Sequence, residues 1–363
     1  AGAALRGSLN TIIGHTAATA LASGTSNTVV GGRAFSAADG SETNSTIIGT
    51  DAGNAINHDD TDGNVIIGND AGTGGAAALI SCVAIGYNAM NSTGGNAQTG
   101  TVSIGKDSLT ALTTGDKNTA IGYQSMQATT TGLTNTALGY QALKTNIDGD
   151  NNVAIGSLSL YTFEASSDGD GCNTAVGANS GYLVSTGQDN VLIGENAGWI
   201  NSGTSLTTGS GNTLVGYQAA IGAADATNRT AIGKGAIAQS NNSVTLGNSD
   251  VTKVYMSQDG DGEMYANGTI NTSDKRLKEN INDTDLGLSF VNALRPVSYK
   301  FIDDKKPEKL KYGIIAQEVQ EVLKESGNED FAGITDKGDY LGADYVQFIA
   351  PLIKAVQELT AKV

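Results

Sequence analysis

The sequence predicts a mainly β chain. A parallel β-roll solenoid shaft covers residues 1–247, a short β neck covers 248–272, and a small α+β domain with a long coiled-coil helix covers 273–363. Three observations predict this. One phrase recurs fourteen times before residue 248, composition changes abruptly near residue 273, and helical periodicity appears only beyond that point.

The phrase reads "NTIIG", "NTVVG", "STIIG", "NVIIG", "NTAIG", "NTALG" and close variants, with closing glycines from Gly14 to Gly247. Most spacings are 17 to 19 residues; 21 and 22 mark grown loops, and the last is 14. The residue three before each glycine is Thr or Val, and the residue just before it is Ile, Leu or Val. Two apart, these positions share one face of a strand. The position between them is also mostly apolar, so both faces need covering. Ala or Ser stands three residues after the glycine in thirteen of the fourteen repeats, Asp250 being the exception. A small residue there returns toward a crowded place.

About 18 residues suit one solenoid rung of two short strands and two turns, and only a stack of rungs can bury the apolar face. A three-sided hexapeptide helix is excluded: six residues beyond Ile85, Ile104 and Ile121 stand Asn91, Thr110 and Gln127. A two-sided roll fits. We expect the Thr/Val and Ile/Leu columns inside, with the other strand face closed by a homotrimer about an axis. Cys82 and Cys172 then lie five rungs apart, roughly 24 Å at ~4.8 Å per rung, beyond disulfide reach.

The bulk numbers exclude several classes. Before Ser273, 8 Lys+Arg against 21 Asp+Glu leave −13; from Ser273 onward, 13 against 16 leave −3. Glycine falls from 43 residues to 6 across the seam, and all three prolines lie beyond it. A pI near 4.4 argues against nucleic-acid partners. No run of apolar residues is long enough for membrane insertion, and "AGAALRGSLN" has no apolar h-region of a signal peptide. His15 and His58 share no ligand spacing with other residues and read as surface residues, so no metal and no cofactor is expected. The Asp-Gly stretches "NHDDTDGN", "NIDGDNN", "SSDGDG" and "SQDGDGE" read as solvated turns, with Ca²⁺ binding the alternative, although none matches a spaced EF-hand or the nonapeptide calcium repeat. Tyr161, Phe163, Tyr182 and Trp199 come from the longer-loop half of the array and are candidates for stacking on sugars.

Residues 248–272 read as strand, Gly-Asp turn, strand. Beyond them, "LSFVNALRPVSYKF" is a short helix ending before Pro296 and then a strand. "AQEVQEVLKE" is an amphipathic helix. "ADYVQFIAPLIKAVQELTAKV" is a long helix capped by Asp344, with Pro351 kinking it or ending its first segment. In it Tyr345, Ile349, Leu352, Val356, Leu359 and Val363 are spaced 4, 3, 4, 3, 4, an a/d seam that predicts association with copies of itself; a stripe facing its own core would read the same way.

The repeats "NTAIGYQ" and "NVAIG" resemble the head repeats of trimeric autotransporter adhesins and the shafts of phage tail fibres, over roughly residues 8–247. That resemblance implies parallel β-rolls, three chains to a shaft. The tail, Ser273 to Val363, resembles the C-terminal intramolecular chaperone of phage endosialidases and tail fibres. "SDKRLKENI", "YGIIAQEV" and "YVQFIAPLIKAVQEL" carry the likeness in order and spacing. It implies a domain that trimerises first, holds three shaft chains in register, and cuts itself off. Carried onto this sequence, Ser273 is the nucleophile, Lys278 the base, and Thr272–Ser273 the bond. The tail has no histidine, so a Ser-His-Asp triad is excluded there, and Lys275 and Arg276 supply positive charge beside Lys278.

The function expected is a fibre shaft on a phage-like particle, located on the virion or another extracellular surface, with a host-surface glycan or protein as receptor. At most it is a single-turnover serine autopeptidase. The rivals are a bacterial surface adhesin head, and a carbohydrate-active tailspike, against which stand short loops and the lack of recurring acidic pairs.

Overall fold

The computed structural model describes residues 6–75, 77–94, 96–199, 204–255, 273–300, 302, 310–336 and 340–362. The chain divides into two compact units, Ala1–Glu263 and Met264–Val363.

The first unit is a parallel β-solenoid of fourteen rungs. Fourteen strands, from Thr11–Ile13 to Ser243–Leu246, form one sheet in rung order, all parallel. Register is strict: Thr119 pairs with Thr136, Ala120 with Ala137 and Ile121 with Leu138, and every other rung repeats the pattern. The opposite wall carries few strands. Among the described residues it has two short parallel pairs, Leu79–Ile80 with Gln98–Thr99 and Ala220–Ile221 with Ile237–Ala238. Two strands per rung were expected, and one is found. The reason lies in the backbone: after the eleven strand glycines from Gly14 to Gly194, positive φ recurs two and four residues on, as at Gln124 (53°) and Met126 (49°), which turns the chain instead of extending it; Ala220 and Ile237, at the second of these positions, lack it and start far-wall strands. Ladder bonds still join the rungs there, Met126 N–H donating to the Ala142 carbonyl at 3.0 Å.

The interior corrects the expected orientation of the strands. The middle residue of the strand points inward: Val29, Ile47, Ile66, Ala84, Ala120, Ala137, Ala154, Leu192 and Leu214 are all 0% exposed. The Thr/Val and Ile/Leu columns point outward, and Ile48, Leu138, Ile193 and Ile232 are among the exposed side chains. Volume explains the choice. The interior also receives the residue four beyond each glycine, and the two positions compensate. Ala84, Ser103, Ala120, Ala137 and Ala154 sit in rungs with Met90, Leu109, Met126, Leu143 and Leu160; Ile47, Ile66 and Leu192 sit with Gly53, Gly72 and Gly198. A Cβ added at Gly72 would stand 3.1 Å from Ile66. In most rungs a narrow core at near-crystalline density admits one large side chain of the two, the rung of Val29 and Phe35 holding both. Gly181 breaks the pattern, for Ala175 is small too, and Leu160 and Leu192 fill the space from the neighbouring rungs.

Buried polar groups form a second interior column. Four residues before the glycine, hence two before the inward middle residue, stand Asn27, Asn64, Asn118, Asn135, Asn152, Asn173, Asn190 and Asn212, all at most 1% exposed. Each Oδ1 accepts the backbone N–H of the same column in the next rung; the Asn118 Oδ1 to Asn135 N distance is 2.9 Å. For most of them Nδ2 crosses the interior to a carbonyl of the far wall, Asn118 to Gly132 at 2.6 Å and Asn135 to Gly149 at 2.8 Å. The side chain therefore satisfies both walls at once. Ser45, Cys82 and Thr101 interrupt the column, and at that interruption the Thr101 hydroxyl and Gln98 Oε1 are buried without a hydrogen-bond partner. Arg229 ends it, its guanidinium donating to Asn241 Oδ1 (2.8 Å) and the Ala238 carbonyl (3.2 Å).

The strand glycines are fixed by close approach. At Gly122, φ is +138° and an added Cβ would lie 2.3 Å from the Gly139 carbonyl oxygen. The small residue three beyond is buried as predicted, and where it is Ser it bonds backbone: Ser180 Oγ donates to the Leu192 carbonyl at 2.7 Å. Cys82 is buried and Cys172 exposed, and both are free.

The neck prediction is only partly within the described residues. Residues 251–255 form no strand, and 256–272 lie outside them. An isolated two-stranded ribbon is marginal on its own.

The second unit is α+β. Helix α1, Leu288–Ala293, precedes Pro296 and the strand Val297–Tyr299, which pairs antiparallel with Lys311–Gly313. Helix α2, Ala316–Ser326, ends at Gly327 with φ 72°. A second hairpin pairs Ile334–Asp336 with Leu341–Ala343. Asp344 caps the 3-10 turn Tyr345–Phe348, and helix α3 runs Ile349–Thr360. Pro351 sits in the first turn of α3, so it ends the first segment, where its missing N–H costs nothing. Leu286, Phe290, Val319, Leu323 and Phe348 form the core. Phe331 packs edge-on to Phe290 and Phe348 at 5.9 and 5.2 Å. Gly287 gives α1 no side-chain cap; Glu358 of α3 supplies it, accepting the Leu288 N–H at 2.9 Å.

Replacing Asn135 by alanine leaves the buried Asn152 N–H without its acceptor and takes one of two donors from the Gly149 carbonyl, which keeps Asn146 Nδ2 at 2.9 Å. We expect a loss of about 1–3 kcal/mol, read as a lower denaturation midpoint at unchanged denaturant slope. A variant within about 0.5 kcal/mol of wild type, a small change by any measure, would show that the column is dispensable.

Candidate functional site

The candidate site opens the described part of the second unit. Asp274 Oδ1 accepts the Arg276 N–H at 2.9 Å and caps the 3-10 turn Lys275–Leu277. The turn closes with Leu277 N–H to the Asp274 carbonyl (3.1 Å) and Lys278 N–H to the Lys275 carbonyl (3.2 Å). This single turn brings residues five apart together: Lys278 Nζ lies 2.8 Å from Ser273 Oγ. Both side chains are exposed. The sequence-predicted nucleophile and base are thus hydrogen-bonded, within the distance that general-base activation of a hydroxyl requires. Thr272, the acyl side of the predicted bond, lies outside the described residues.

Arg276 also grips the Asp274 carboxylate through its side chain: Nε lies 3.1 Å from both oxygens and Nη2 2.6 Å from Oδ2. That guanidinium, followed by the backbone N–H, holds the Asp274 carboxyl below its ordinary range. Among the described residues, no carboxylate lies within ion-pair distance of Lys278.

The predicted seam is displayed on the surface of the unit. Tyr345, Ile349, Leu352, Val356 and Leu359 are 49% to 61% exposed, while Pro351 and Ala355 on the same helix and Phe348 in the preceding turn face the core. The stripe is therefore not core-facing in this chain. Val363 lies outside the described residues. Val346 and Ile353, which the heptad reading passed over, are exposed to the same degree and widen the patch. Tyr345 also braces the unit internally, its hydroxyl accepting the Ile314 N–H at 3.2 Å.

Of the aromatic candidates, Phe163 is in the core at 0% exposure. Tyr161 and Tyr182 stack across successive rungs at 5.2 Å, Trp199 in the next rung lies tilted by 49° with its centroid 5.3 Å from Tyr182, and Lys144 Nζ lies 5.7 Å from the Tyr161 centroid. The acidic turns tie rungs together: Asp62 Oδ1 accepts from Thr43 Oγ1 and Asn44 Nδ2, both at 2.7 Å, and Asp150 Oδ1 from Leu133 N–H at 2.6 Å. Among the described residues no group of His, Cys, Asp and Glu is arranged to hold a metal ion, and no helix is long and apolar enough to cross a membrane.

Residues 273–328 match the family model described as the chaperone of endosialidase. The match opens on Ser273 and closes one residue past the Gly327 cap of α2. No curated protein matches the chain. A β-solenoid followed by this match fits a structural protein of the tail-fibre or tailspike type.

Leu352→Asp with Val356→Asp places two carboxylates on the exposed seam without touching Phe290 or Phe348. Helix content should persist, while self-association weakens by more than tenfold, about 1.4 kcal/mol. Light scattering on the full chain reads the particle mass, and an unchanged mass would remove the seam from any interface.

Proposed function

We propose that this chain is the shaft of a homotrimeric fibre or tailspike on a phage-like particle, with repeats of the kind found in trimeric adhesin heads. Its C-terminal unit seeds the trimer, sets the register of the shaft, and then cuts itself free before Ser273. The observation that carries the reading is the outward face of the solenoid. The Thr/Val and Ile/Leu columns put two rows of uncharged side chains along fourteen strands, about 60 Å at ~4.8 Å per strand, on a chain of net charge −16. Along that face identical acidic chains can approach without like-charge repulsion. A closed trimer buries that face on every copy.

The need for a seed follows from the same face. Each rung resembles the next, so a slip by one rung costs little. The seam of α3 belongs to a sequence that does not repeat, so association there permits a single stagger. The receptor would be a host-surface glycan or protein.

The cleavage chemistry needs only the residues at hand and one water. Ser273 Oγ gives its proton to Lys278 Nζ and bonds to the Thr272 carbonyl carbon. The Thr272–Ser273 C–N bond then breaks, the proton passes from Nζ to the Ser273 nitrogen, and an ester remains. Water hydrolyses that ester to the Thr272 carboxylate and the Ser273 hydroxyl. Lysine serves as base only when neutral, and in the single chain both side chains meet solvent. Burial against other copies would favour the neutral form, so assembly precedes scission.

Deleting residues 273–363 should leave the shaft insoluble or mis-registered, measured as soluble trimer yield. A truncated chain that folds to soluble trimer at normal yield removes the chaperone role.

Ser273→Ala and Lys278→Arg should each abolish scission and leave trimer mass intact, since arginine stays protonated. Lys275→Ala should be milder. Mass against time during refolding checks this, with fragments ending at Thr272 and beginning at Ser273. A wild-type chain intact through prolonged incubation overturns the cleavage step alone.

A further inference from the structure

The geometry points to Arg276 as a positioning residue that frees Lys278 to act on Ser273, by occupying the Asp274 carboxylate that would otherwise hold the lysine as an ammonium ion. The inference rests on the Ser273–Lys278 cleavage reading proposed above.

Five charged groups crowd this segment. Asp274 follows Ser273 directly, and Lys278 Nζ is hydrogen-bonded to Ser273 Oγ at 2.8 Å. A carboxylate next to the nucleophile is a hazard for a lysine base, because an opposite charge nearby favours the charged, non-basic form. The structure shows how the hazard is met. Both Asp274 oxygens are engaged by the Arg276 side chain, and Oδ1 also accepts the Arg276 N–H. Among the described residues, the only ion pair of Asp274 is with Arg276. Lys278 is left with a neutral hydroxyl as its hydrogen-bond partner. Lys275, Arg276 and Glu279 are the other charged groups of this segment.

The two functions of Asp274, capping the turn and carrying charge, separate by substitution. Asp274→Asn keeps an oxygen for the Arg276 N–H, as asparagine is an equally good cap. Arg276→Gln leaves the turn and the carboxylate but removes the guanidinium.

Scission of the full-length trimer at fixed neutral pH is one readout. Arg276→Gln should slow it several-fold, because the freed Asp274 carboxylate can then pair with the lysine. Asp274→Asn alone should cleave at close to the wild-type rate. The double variant Asp274→Asn/Arg276→Gln should recover most of the loss, which a merely structural arginine would not allow. A second readout does not need scission. In the uncleavable Ser273→Ala trimer, acetic anhydride labels neutral amines, and mass spectrometry follows Lys278 against Lys354 as internal standard. Arg276→Gln should lower relative labelling of Lys278 several-fold, and Asp274→Asn should restore it. Unchanged labelling in Arg276→Gln overturns the inference. So does a double variant as slow as Arg276→Gln, which would assign Arg276 to turn geometry. A wild-type chain that never cleaves, with labelling responding as described, overturns the cleavage reading and leaves the charge assignment standing.

Discussion

The asparagine that reaches across most rungs is the interaction on which the solenoid depends. A rung has one three-residue strand and a far wall made mostly of turns, so its backbone cannot satisfy itself by ladder bonds alone. Asn118 shows the solution. Its Oδ1 takes the N–H of Asn135 in the next rung, and its Nδ2 donates to the Gly132 carbonyl of the far wall. One side chain links strand wall, far wall and neighbouring rung. Buried polar groups are costly when half satisfied and specifying when fully satisfied, and a column of them fixes the distance between walls. That distance sets the volume left inside, which the alternation of Ala120 with Met126 and Ile66 with Gly72 then fills. The outward columns follow, because residues two apart from the asparagine go in and those between go out.

Much of this was legible in the sequence, and the part that was not has a physical cause. Period, strand position, rung number and the buried small residue are all set by local backbone geometry and by close packing, which leave fixed marks on composition. The sense of the strand was misread because Thr, Val, Ile and Leu are conventional interior residues, while Ala and Ser are ambiguous. The missing clue was the first letter of the phrase. Asn27, Asn64 and Asn118 stand two before the middle residue, and an asparagine so regular on a strand face is more readily explained by a satisfied buried network than by solvent. The far wall was misjudged for another reason: residues such as Gln124 and Met126 carry positive φ without being glycine, so their turn is imposed by stacking and leaves little composition signal.

In the second unit, sequence and structure agree where local chemistry decides. Pro296, Pro351, Asp344 and Gly327 each sit where their backbone preferences place them. The seam on α3 needed the structure, since a heptad stripe does not say whether its partner is the same chain or another. The Ser273–Lys278 contact needed it as well. Five-residue spacing suits neither a helix face nor a strand face, and only the Asp274-capped turn makes it short.

The stacking of strands one above another also governs how such a shaft would carry a pulling force along its length. Every joint between rungs is a set of hydrogen bonds aligned with that force, and the joints bear it in series, so the weakest opens first and its bonds open together. Each opened rung would release 17 to 22 residues of slack, roughly 60–75 Å of contour at ~3.4 Å per residue, in place of the ~4.8 Å it occupied. Under tension the molecule would lengthen in discrete steps, each dissipating work, with the interrupted column around Cys82 and Thr101 the first place to yield.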